Sequence, residues 1–122
     1  METQANSDAL PKWDSCARDC QDCYEACMRC LSHCLEHGGT HVSKPHLNLM
    51  FECQSICQLT ASVLHLRSIE AIDFCRLCAK ICDACADACK ETRDDSVMDG
   101  CAFYCRGCAD SCRAFISSSQ AA

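Results

Sequence analysis

The chain has no cluster of basic residues, no long apolar run and no basic-then-apolar leader at its amino terminus, and each absence removes a class of function. A net charge of −6 without Lys/Arg-rich stretches, and without aromatics interleaved among basic residues, argues against nucleic acid and against an anionic membrane surface as partners. No window approaches the roughly 20 apolar residues that cross a bilayer. The first ten residues, METQANSDAL, have neither a basic region nor an apolar core, so no secretory signal is expected. The expected compartment is the cytoplasm, which is reducing.

What the chain has in excess is cysteine, 17 of 122 residues. That length suits one domain. Residues Cys16, Cys20, Cys23, Cys27, Cys30 and Cys34 follow one another at steps of four, three, four, three and four. Steps of three and four alternate when one residue type fills one face of an α-helix, the seam that faces a bundle core. At 1.5 Å per residue the row is about 27 Å of thiols. The rhythm returns as Cys53 and Cys57, as Cys75, Cys78, Cys82, Cys85 and Cys89, and as Cys101, Cys105, Cys108 and Cys112, leaving no cysteine off a stripe. Leu, Ile and Val bury more apolar surface than a thiol does, so stability alone would not choose this seam.

Four helices follow from the punctuation. Residues 1–8 read as a disordered tail. Helix 1 starts between Asp8 and Asp14, with Pro11 in its first turn, and stops at Gly38-Gly39. Ser43 is expected to cap helix 2, which runs from Pro45 to about Leu66. Ser68 is expected to cap helix 3, reaching about Glu91. Asp94-Asp95-Ser96 resembles a cap for helix 4, from Val97 to about Ile116, with residues 117–122 a frayed tail. Short loops make consecutive helices antiparallel, so the expected fold is all-α: a single up-down-up-down four-helix bundle over 9–116 with a cysteine-lined core.

The thiol spacing points to a soft metal. Residues four apart lie one turn apart on the same face, so Cys16/Cys20, Cys23/Cys27, Cys30/Cys34, Cys53/Cys57, Cys78/Cys82, Cys85/Cys89, Cys101/Cys105 and Cys108/Cys112 can each bring two sulfurs to one ion without unwinding a helix. Cys75 stands outside any such pair and would share a metal across helices. Disulfides within a helix are excluded, because neighbours at three or four have Cβ atoms about 5–6 Å apart and a disulfide wants roughly 3.5–4.5 Å. Soft thiolates select Cu(I), zinc or iron–sulfur clusters. Zinc wants four ligands in a tetrahedron. Cu(I) is satisfied by two or three thiolates, and a Cu⁺ that displaces a thiol proton leaves a nearly neutral unit, tolerable in a core where isolated charge is costly. The rivals are an iron–sulfur electron-transfer protein and a zinc or cadmium thiolate sponge. Enzyme chemistry is not expected, since no thiol is singled out beside a positioned base.

These residues resemble the copper storage proteins, specifically the cytosolic group. The resemblance covers nearly the whole chain. It rests on the runs of cysteine in helices 1, 3 and 4 and on the cysteine-poor second helix, ECQSICQLTASVL. It implies a four-helix bundle, often tetrameric, that stores many Cu(I) ions, with all 17 cysteines at core ligand positions.

Extending each stripe past its cysteines separates the two ends of the bundle. At one end come His37, His46, Met50, Thr92 and Met98, with His41 in the adjoining loop. Imidazole and thioether are weaker copper ligands than thiolate and can pass an ion on, so His37, His41, His46, Met50 and Met98 form a candidate metal entry. At the other end Trp13, Leu64, Ala71 and Phe115 make an apolar plug. Helix 2 carries a second apolar row, Leu49, Ile56, Leu59, Val63 and Leu66, which predicts a homo-oligomer.

Overall fold

The computed structural model describes residues 9–92 and 94–120, so the tail expected over 1–8 lies outside the described residues. Four α-helices follow one another: α1 (Ala9–His37), α2 (Lys44–His65), α3 (Ala71–Lys90) and α4 (Ser96–Gln120), with one 3-10 turn, Gly39–Val42, between α1 and α2. No strand occurs among the described residues. Each helix packs on two neighbours, α1 on α2 and α4, α3 on α2 and α4, which is an up-down-up-down bundle.

The helix ends show why the chain turns where it does. Gly38 (φ 75°) and Gly39 (φ 61°) take left-handed conformations, and the Gly38 N–H returns to the Cys34 carbonyl at 3.0 Å, closing α1. Arg67 does for α2 what glycine does for α1. At φ 55° it is left-handed; its N–H reaches Leu64 O (3.1 Å), the Ser68 N–H reaches Val63 O (3.0 Å), and its guanidinium donates to Leu64 O (3.1 Å) and Asp14 Oδ1 (3.1 Å).

The caps differ in part from those expected. Asp95 does cap α4: its Oδ1 accepts from the N–H groups of Val97 (3.1 Å) and Met98 (3.2 Å). Ser43 makes no side-chain cap bond, and Pro45 opens α2 where a donor would go unused anyway. Ser68 Oγ accepts from Glu70 N (3.0 Å) within a turn, and regular helix starts only at Ala71. Helix α4 continues to Gln120, past Ile116 and across the Ser-rich stretch.

All 17 cysteines are buried and unpaired as thiols. Between the stripes sit buried alanines, Ala17, Ala26, Ala61, Ala79, Ala86, Ala102 and Ala109. Two small residue types on facing surfaces let helix axes approach closely. Ala is also the best helix former, so these positions support the helix as well as its packing. Outside, Arg113 pairs with Asp83 (2.7 Å) and Arg106 with Asp83 (3.3 Å) and Asp87, joining α4 to α3, while Arg113 also pairs with Asp110 (3.1 Å) within α4. These pairs are solvent-exposed and screened by salt, so they add little to stability.

The plug is formed as expected. Leu64, Ala71 and Phe115 are buried, and Trp13 meets the Phe115 ring edge-on at 4.8 Å. The second row on α2 divides: Ile56 is buried, Leu49 and Val63 are half-buried, and Leu59 and Leu66 are 47% and 76% exposed.

Candidate metal centre

The thiol core is a column in which sulfur meets sulfur mainly between helices. Cys20 of α1 contacts Cys108 (3.7 Å) and Cys112 (3.9 Å) of α4, and Cys23 contacts Cys105 (3.7 Å) and Cys82 (4.0 Å). From α2, Cys53 reaches Cys82 (3.7 Å) and Cys105 (3.8 Å), while Cys57 reaches Cys82 (3.5 Å), Cys78 (3.8 Å) and Cys108 (3.9 Å). Along one helix the corresponding contact is Cys78 to Cys82 at 3.9 Å. Sulfurs of the CxxxC pairs thus meet thiols of facing helices more often than each other. Cys75, which has no pair of its own, sits against Cys112 of α4 and Cys16 of α1.

Several quartets of sulfurs lie within 4.8 Å of one another: Cys20, Cys78, Cys108 and Cys112; Cys23, Cys53, Cys57 and Cys82; Cys27, Cys85, Cys101 and Cys105. Others overlap these, such as Cys57, Cys78, Cys82 and Cys108. A metal bound at about 2.3 Å by four thiolates would separate them by about 3.8 Å. The core thus has metal–thiolate spacing before any ion enters, and shared sulfurs give it the layout of bridged clusters. Among the described residues no Lys or Arg is buried beside these thiols.

The five residues of the expected entry fall into two groups. Met50, Met98 and His46 touch thiols: Met98 Sδ lies 3.3 Å from Cys30 Sγ and 3.7 Å from Cys34 Sγ, Met50 Sδ lies 3.6 Å from Cys85 Sγ, and His46 Nε2 lies 3.4 Å from Cys34 Sγ. His37 and His41 instead stack on each other outside the column, ring centroids 3.9 Å apart. His41 is 6% exposed, and its Nε2 lies 2.9 Å from Asp95 Oδ2. His33, which the thiol stripe does not include, shares that same oxygen at 2.8 Å.

A model of the copper storage protein family matches residues 10–117 of this chain. The chain belongs to that family. It is 38% identical to the Nmul_A1745 protein of Nitrosospira multiformis, whose crystal structure superposes with a TM-score of 0.81 over 87% of this chain and 95% of that one. The Cu(I)-bound copper storage protein BsCsp3 is 33% identical, TM-score 0.81, over 86% of this chain and 98% of that one. The apo form of copper storage protein 3 from Bacillus subtilis gives 35% and 0.77, over 84% and 97%. A curated relative, the uncharacterized cysteine-rich protein YhjQ of Bacillus subtilis, is 35% identical over 89 residues, 73% of this chain and 82% of that protein.

In this member of the copper storage family the thiols differ in how firmly they hold their protons. Contacts with the Cys112, Cys20, Cys23 and Cys57 thiols push the Cys108 thiol down, and Cys57 is pushed up, first by its contact with Cys108. At the mouth, burial first and then the charge of Cys30 push Cys34 up to about 12. Hydrogen bonds from His33 and His41 hold the Asp95 carboxyl well below the usual carboxylate range.

His33 and Asp95 were not singled out from the sequence as ligands. The legible signal was the run His33, His37, His41 at steps of four, which continues off the end of α1 into the turn.

Proposed function

We propose that the chain is a cytoplasmic store for Cu(I), holding many ions through the 17 core thiolates and not acting as an enzyme. The observation that carries this reading is the contact of thiols across all four helices, with no buried Lys or Arg beside them among the described residues. Divalent ions in isolated tetrathiolate sites would each leave a net charge of −2 in this core, whereas Cu⁺ held by bridging thiolates, at one ion per thiolate overall, leaves the core neutral. Membership of the family and likeness to a Cu(I)-bound relative support the same choice of metal. Against catalysis stands Cys34, the thiol nearest an imidazole: burial raises its pKa, the reverse of an activated nucleophile.

Copper is read as entering through His46, Met50 and Met98, whose side chains meet the outermost thiols. The exposed Leu59 and Leu66 on α2 support assembly into a homo-oligomer, which light scattering on purified protein tests; a monomer mass rejects it. No helix of the described residues is long and apolar enough to cross a membrane.

The deciding experiment is an anaerobic titration of reduced protein with Cu(I) against a colorimetric competitor. Seventeen thiols taken four at a time fill four isolated tetrahedral sites with one left over, so uptake well beyond four equivalents requires two- and three-coordinate or bridging thiolates. Saturation at four or fewer, or broad visible absorption of iron–sulfur type in protein as isolated, rejects the storage reading.

A further inference from the structure

Three imidazoles gather on the outer rim of the bundle mouth, away from the sulfur column. The ring of His41 lies 3.9 Å from that of His37 and 5.5 Å from that of His33, and His33 lies 5.8 Å from His37, centroid to centroid. Each ring has one nitrogen beside an oxygen acceptor. His33 Nε2 and His41 Nε2 both face Asp95 Oδ2, and His37 Nδ1 is 3.5 Å from the Gly38 carbonyl oxygen. In a neutral imidazole a nitrogen that donates its hydrogen leaves the other with a free lone pair. His41 Nδ1 is buried and has no hydrogen-bond partner, which is costly for a polar atom with no ligand to satisfy.

We propose that His33, His37 and His41 form a second metal site, supported by Asp95, that takes a divalent transition-metal ion of the Zn(II) class. The donors are Nδ1 of His33, Nδ1 of His41 and Nε2 of His37. The Asp95 carboxylate acts one step removed, accepting the N–H of two ligand rings, the arrangement that fixes tautomer and ring orientation in imidazole metal sites. Zinc held by three imidazoles at about 2.0–2.1 Å places their ring centroids roughly 5 Å apart. Two of the three separations already lie near that value, and the third opens by rotation of His37, which is exposed.

The donor chemistry separates this site from the core. Imidazole nitrogen suits zinc and its divalent neighbours, while the thiol column suits monovalent copper. The inference is therefore independent of what the core holds. Asp95 also caps α4 three residues before Met98, so an ion on the rim braces the helix start that carries Met98 to Cys30 and Cys34.

The test is a Zn(II) titration of reduced, full-length, 15N-histidine-labelled protein, carried to an excess over the thiols and followed by two-bond nitrogen–proton correlation spectra. These report the tautomer and metallation of each imidazole separately, whichever ions the thiols take. Nδ1 of His33, Nδ1 of His41 and Nε2 of His37 are expected to move together to metal-bound shifts in one stoichiometric step. The variant His33→Ala/His41→Ala should lose that step. Asp95→Asn keeps a cap oxygen but no carboxylate, and should weaken the step by about 10- to 100-fold. Three imidazoles that keep free shifts to the end, or a step untouched by Asp95→Asn and by the double variant, overturn the site. Asp95→Asn changing the unfolding midpoint while leaving zinc affinity at the wild-type value would overturn it equally, leaving Asp95 as a cap.

Discussion

Cys34 and His46 are in contact, Sγ to Nε2 at 3.4 Å, so the last thiol of α1 meets an imidazole that α2 brings in from its first turn. Met98 closes on the same thiol from α4 at 3.7 Å. The ligand types at this end run from a half-buried imidazole through two buried thioethers to thiols, an order of rising affinity for Cu(I).

Replacing His46, Met50 and Met98 together by Ala, Leu and Leu should slow Cu(I) uptake, and removal by a chelator, by about tenfold, equivalent to ~1.4 kcal/mol in the barrier. Final capacity should not change, because no thiol is lost. Stopped-flow mixing with a coloured Cu(I) complex measures the rate. A triple variant that loads as fast as wild type shows that these side chains are filler at the end of the core.

The stripe was readable because cysteine marks it: the alternation of three and four places all 17 thiols inward without any tertiary information, and the two helix-breaking glycines mark the first turn. Arg67 was not readable as a C-cap, because its left-handed backbone is held by bonds to Leu64 and Asp14, the latter across the bundle. The cross-helix sulfur contacts were equally hidden, since sequence spacing reports who shares a face and not which rotamer meets which neighbour. The sequence places His37 on the extension of the α1 stripe and His41 in the adjoining loop, both as candidate entry residues at the same end of the bundle. The structure stacks the two rings on each other, His37 exposed and His41 buried beneath it, because the 3-10 turn after Gly38 brings His41 back against α1, where Asp95 and His33 meet it.

Thr60 occupies a thiol position on α2, fully buried, with its hydroxyl unpartnered. The register set by Cys53 with Cys105 and Cys57 with Cys108 puts it level with Cys112, in the last layer before the plug. Thr60→Val removes the orphan hydroxyl at nearly constant shape and should stabilise the apo protein by about 1 kcal/mol. Urea unfolding under reducing conditions measures it. A Val variant less stable than wild type would mean that the hydroxyl donates to a sulfur after all.

The apo core should weaken in alkali. Burial favours the neutral Cys34 thiol in the folded state, so its contribution is complete below about 8.5, the ordinary thiol value, and is lost as pH rises through about 12. Comparing the urea midpoints of wild type and Cys34→Ala at increasing pH isolates this group. The gap between them should shift against wild type above pH 9; a constant gap denies the shift.

The plug yields a prediction of opposite kind. Phe115 is 2% exposed and takes the edge of Trp13, with Leu64 and Ala71 buried around it, so the far end is sealed by shape alone with no ligand among these side chains. Phe115→Ala leaves a cavity there and should cost about 3–5 kcal/mol, seen as a lower unfolding midpoint in the apo protein. Phe115→Leu keeps most of the apolar volume and should cost under about 2 kcal/mol. With the proposed mouth at His46 and Met98 as the exit, the rate of copper removal by a chelator in Phe115→Leu should equal that of wild type. Faster removal in this conservative variant would place an exit at the Trp13 end and would contradict a single mouth.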